Sequence, residues 1–144
     1  MNVPGLRSPY DQVGSLFHFG RMLDKIRLHT AGKLPADYQE NLGGGFDGVL
    51  CRFLDVKYEA LVAHVKQGGS DDEILQWCFQ FGRQPDEQEL AILNDYLRKR
   101  GWNDAASERL VERVKGLGPQ WVGKVQTFFD FIEVDEGRQP RGTA

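Results

Sequence analysis

The chain has 144 residues, of which 40% are apolar and 27% charged, with a formal net charge of −3. That profile excludes a disordered or membrane-embedded chain and predicts one domain that buries a core without staples. No apolar run approaches the ~20 residues of a membrane span, the start MNVPGLRSPYDQ has neither the basic nor the apolar region of a secretory signal, and the acidic balance offers no field for a polyanion. A cytoplasmic protein without membrane or nucleic-acid partners is therefore expected.

Residues 1–13, with two prolines and a glycine, predict an irregular arm pinned by Tyr10. Residues 14–33, GSLFHFGRMLDKIRLHTAGK, then predict the central helix. Leu16, Phe19, Leu23, Ile26 and Thr30 form its buried side. The opposite strip carries His18, Arg21, Lys25 and His29, with Asp24 three residues from both Arg21 and Arg27. A solvated face with ion pairs explains that strip, and so does an anion site, since two cations and two histidines can hold a carboxylate or phosphate.

Gly32 and Pro35 end this helix, and PADYQENL allows one or two helical turns. Gly43-Gly44-Gly45-Phe46-Asp47-Gly48 formally satisfies GxGxxG. It lacks the preceding strand that makes the dinucleotide fingerprint work, so it reads as a flexible turn whose backbone can approach a ligand. Residues 49–54 predict a buried helical turn. Asp55 is expected to cap a helix through Gln67, with His64 at the edge of its stripe and no further ligand at metal spacing.

Ser70 to Glu73 and Asp86 to Glu89 are capping boxes. The first opens a helix to about Phe81, expected to be the most enclosed element because apolar residues cover most of its circumference. The second opens a helix to Arg100 with Leu90, Leu93 and Leu97 inward and Ile92 and Tyr96 widening that face. Gly101 and Trp102 fit a Schellman ending, with Trp102 packed back. Asn103 or Asp104 caps the next helix, which buries Leu110, Val111, Val114 and Leu117. The last helix is expected over 120–134, followed by a frayed tail over 138–144. Cys51 and Cys78 have no CxxC partner and read as buried free thiols. The fold class is all-α: one compact domain, 1–137, of six or seven helices with short loops.

The phrases SPYDQVGSLFHFGRMLDKIRLHTAGKLPADY, NLGGGFDGVLCRFLDVKYEAL, QGGSDDEILQWC and RKRGWNDAASERL resemble those of the bacterial family known as domain of unknown function 5069, over about residues 7–137. The resemblance implies a small stand-alone bacterial protein. It implies no activity, cofactor or catalytic residue, so no functional position carries over.

Three functions are compatible with these residues. The first is a binding module for a small anionic or polar metabolite, with Arg21, Asp24, Lys25, His29, Gly44, Gly45 and Asp47 as site residues and no metal or cofactor. If the glycine turn closes over the strip as a lid, Asp47 meets Arg21 or Lys25 and its pKa falls. The second is a protein-interaction or homo-oligomerising module, with Phe17 and Leu28 as its apolar contacts. The third is a metal-independent enzyme in which Asp24 or Asp47 orients His29 as acid and base.

Overall fold

Helix α1 (Phe19–Thr30) is buried along residues 19–26, polar members included. The remaining elements are arranged around it. In the computed structural model, which describes residues 1–142, they are α2 (Ala36–Gln39), α3 (Gly45–Leu54), α4 (Tyr58–Val65), α5 (Asp71–Phe81), α6 (Glu87–Lys99), α7 (Ser107–Lys115), a 3-10 turn (Pro119–Trp121) and α8 (Phe128–Asp135). The all-α expectation stands, and the described residues form eight α-helices rather than six or seven because α2 and α3 are both distinct. Helix α1 packs on α3 and α4, while α8 packs on α6 and α7.

The main core joins Leu16, Phe19 and Leu23 to Leu50, Leu61, Ile74, Leu97 and Phe129. A smaller cluster of Leu110, Val114, Val125 and Phe128 lies under α7 and α8, and Phe46 packs against both. Each fully buried side chain of this kind stabilises the fold by about 1.5–3 kcal/mol.

Several boundaries differ from the sequence reading, each for a local reason. Helix α1 begins at Phe19, not Gly14, because Val13 and Leu16 exchange backbone hydrogen bonds in an isolated bridge and His18 adopts a left-handed φ of 67°. The glycine stretch is the start of α3 instead of a free turn. Asp55 ends α3 in a left-handed conformation, φ 56°, and α4 starts later, after Lys57. Both capping boxes form as expected. Helix α5 is less enclosed than α1, because only Ile74, Leu75 and Cys78 are buried and Phe81 is exposed. Ile92 and Tyr96 on α6, Val111 on α7 and Trp102 in the loop between them are also exposed, so Trp102 does not pack back on α6 as expected. The expected helix 120–134 is interrupted: Thr127 accepts a hydrogen bond from the Asp130 amide and starts α8 there.

The segments on either side of the helices are held by polar contacts. Tyr10 donates to Asp130 at 2.7 Å and sets its ring edge-on to Phe129. Arg7 bridges Asp24 and Asp71. The expected frayed tail is anchored through Gly142, whose amide, with that of Arg141, donates to the Asp130 carboxylate, while Arg138 bonds Glu133 and Glu136. The spacing of Asp130, Glu133 and Glu136 places three buried carboxylates along one side of α8, and buried carboxylates require such partners. Residues 143–144 of that expectation lie outside the described residues.

Candidate functional site

A cleft of about 550 Å³ runs along the polar strip of α1. Its other walls come from α2, the start of α3, the end of α6, and α7 and α8. A volume of this size matches the ~300–1,000 Å³ of small-molecule sites.

At its floor lies a buried triad of side chains. His18 Nε2 is 2.7 Å from Asp47 Oδ1, and Lys25 Nζ is 2.9 Å from Asp47 Oδ2. The Gly43 amide also donates to Asp47. Burial drives the His18 pKa down to about 4, against the pull of Asp47 and with repulsion from Lys25 and Arg21. Burial alone would raise Asp47, but the His18 hydrogen bond and the Lys25 charge outweigh it and hold the carboxyl at about 2. At neutral pH the imidazole is thus uncharged. It donates its Nε2 proton to ionised Asp47 and leaves Nδ1 as a bare acceptor. His18 is 2% exposed, and Nδ1 has no hydrogen-bond partner among the described residues.

Beside this triad, Arg21 makes a two-pronged pair with Glu136 at 2.8 and 2.6 Å, and Tyr38 donates to the same carboxylate at 2.8 Å. Burial opposes ionisation of Glu136, yet the bonds from Arg21, Tyr38 and Arg138 keep its pKa below the ordinary value. Charges on the floor therefore cancel in pairs, Lys25 with Asp47 and Arg21 with Glu136.

The rim has a different balance. Helix α3 begins at Gly45, with Gly44 as its N-cap and no capping side chain, so its first amide groups lack a side-chain acceptor where Gly44 and Gly45 border the cleft. Gly45 has φ +52°, and a Cβ placed there would meet nothing within 4 Å. Arg52, Arg109 and Arg113 also border the cleft, and among the described residues none of them forms an ion pair; Arg109 lies over the Phe128 ring.

The family model described as a domain of unknown function, DUF5069, matches residues 3–138. The chain belongs to this family. A comparison with curated proteins found no match. The DUF5069 match spans every residue of the cleft and includes Arg138, which braces its Glu136 wall.

Within this DUF5069 fold, the residues singled out from sequence separate into two groups. Arg21, Lys25, Gly44 and Gly45 border the cleft, and Asp47 lies directly beneath it. The expected meeting of Asp47 with a cation of α1 is made, with Lys25 as the partner. Asp24 faces elsewhere, bonded to Arg7. His29 is exposed in the last turn of α1 and neither Asp24 nor Asp47 orients it. The partner of Asp47 is His18, eleven residues before His29 in the chain, because the left-handed turn at 18 directs that ring towards α3 while the helix carries His29 to solvent. Phe17 and Leu28 are half-buried; Phe17 sits among Tyr10, Phe129 and Arg98. Sequence reasoning placed His18 on the polar strip but did not select it, and it missed Tyr38, Arg52, Arg109, Arg113 and Glu136 altogether. Those five come from four elements far apart in sequence, so no spacing rule connects them.

Proposed function

We propose that this protein binds a small anionic metabolite in the cleft between α1 and the start of α3. One observation carries the reading: the start of α3, with no side-chain cap, borders the cleft together with Arg52, Arg109 and Arg113, which form no ion pair among the described residues. Backbone amides and guanidinium groups together are the usual means of holding an oxyanion. The paired charges on the floor supply rigidity, since each is already compensated. A bacterial, cytoplasmic setting fits this reading, as do the two buried free thiols, Cys51 and Cys78, whose pKa values burial raises to about 11 and 12.

Thermal melts of the full chain against a set of phosphorylated and carboxylated metabolites test the proposal. A ligand at a hundred times its Kd should add about 2.7 kcal/mol to the folded state. The shift should shrink in Arg52→Ala. If no anion moves the melt, or if the shifted ligand is indifferent to Arg52, the cleft is not an anion site.

The His18 and Asp47 pair favours a second reading, metal-independent proton transfer. A neutral imidazole fixed by a carboxylate at one nitrogen has the other free to take a proton from a bound substrate. This replaces His29 with His18 as acid and base. A substrate whose turnover survives His18→Gln would dismiss it.

A further inference from the structure

The cleft has too many acceptors for a bare anion. His18 Nδ1 is one, buried at the floor and without a partner among the described residues. Asp37 and Asp135 are two more on its border, and neither carboxylate is in an ion pair among the described residues. Against a plain phosphate these groups are repulsive or idle. Against a molecule that also carries hydroxyl groups, each can accept a hydrogen bond, and the buried His18 Nδ1 gains the partner it lacks.

The donors lie on the α3 side. Asp47 is the third residue of α3, so its contact with His18 brings the imidazole to within about one helical turn of the uncapped amides. The Phe46 ring leans on the imidazole, 5.6 Å between centroids, and borders the same cleft. Three arginines plus a helix start suit a dianion better than a single carboxylate. Building on the anion-binding reading, we propose that the ligand is a hydroxylated phosphate monoester, its phosphate on the start of α3 and Arg52 and one hydroxyl donating to His18 Nδ1. The remaining hydroxyls reach Asp37 and Asp135. A plain alkyl phosphate meets the donors and leaves the acceptors empty.

Two probes of equal charge and chain length separate these statements: glycerol 3-phosphate and propyl phosphate, titrated calorimetrically into the full chain. Glycerol 3-phosphate should bind at least about tenfold more tightly, since one good hydrogen bond to a buried acceptor is worth about that factor. In His18→Gln the side-chain NH2 can still donate to Asp47 while the amide oxygen is displaced from the Nδ1 position, and the ratio should fall towards one. Arg52→Ala should weaken both probes alike. Equal affinities in the natural chain overturn the hydroxyl assignment and leave the anion site standing, whereas no binding of either probe overturns both. Glycerate binding more tightly than glycerol 3-phosphate overturns the phosphate assignment. Should His18→Gln fail to fold, the imidazole nitrogen resonances of the natural chain decide instead. Nδ1 should shift with glycerol 3-phosphate and stay in place with propyl phosphate, and an identical response to both refutes the contact.

Discussion

Arg21 and Lys25 occupy positions where a helical wheel places solvent, yet they are only 4% and 7% exposed. Each has its own carboxylate from a distant element, Glu136 and Asp47. On a solvated face Arg21→Ala should change stability by no more than about 0.5 kcal/mol. Buried against Glu136, it should cost roughly 3 kcal/mol, because truncation removes the two-pronged buried partner and leaves the acid with only the Tyr38 hydroxyl and Arg138. Replacing both members, Arg21→Met with Glu136→Leu, should recover much of that loss. Urea unfolding of the three chains reports it directly, and a small effect of the single change would mean that water already solvates the pair.

At the scale of elements, close approach matters more than propensity. Gly82 ends α5 against the end of α3, where the Arg83 amide donates to the Leu54 carbonyl. A Cβ on residue 82 would stand 2.0 Å from that carbonyl oxygen and 2.7 Å from Val56. No side-chain rotation relieves a clash with backbone. At its negative φ of −96° an unobstructed glycine-to-alanine change would be neutral or stabilising by up to ~1 kcal/mol, so the clash alone should make Gly82→Ala destabilise the chain, by about 3 kcal/mol or beyond. Its denaturant midpoint should fall accordingly, and a midpoint within experimental error of the natural chain would show that α3 and α5 can separate. Ser70 and Asp86 act within their own helices, so their caps were readable as S-x-x-E and D-x-x-E without any knowledge of neighbours.

The molecule as a whole ties its sensitivity to acid to the cleft. The folded pKa of His18, about 4, lies below its ordinary 6.5, so on acidification the unfolded chain takes up this proton first. Stability present above pH 6.5 is lost progressively down to pH 4, by an amount of the order of a few kcal/mol. Asp47 acts in the same direction lower down: its folded value is about 2 against 3.8, so its contribution is full above 3.8 and disappears as pH falls through 2. Glu136 and Asp71, both lowered, add to the acid limb. Unfolding free energies measured from pH 7 to 4 should decline in the natural chain and flatten in His18→Gln. Equal slopes in the two chains would show that His18 titrates as it does in the unfolded state.

Periodicity, caps and breakers determined the all-helical class, the apolar side of α1 and the starts of α5 and α6, because those features depend on residues within one turn of each other. The polar strip was legible too, and so was the attraction of Asp47 to it. What the strip faces was not. Its burial depends on α8 and the segment after it arriving from the far end of the chain with Glu136 and Arg138. The choice of His18 over His29 depends on one left-handed residue at the entrance of α1, a backbone state that is uncommon outside glycine and that no local spacing rule signals. Local spacing could name the cations, but only the assembled chain decided which carboxylates neutralise them and which arginines are left for a ligand.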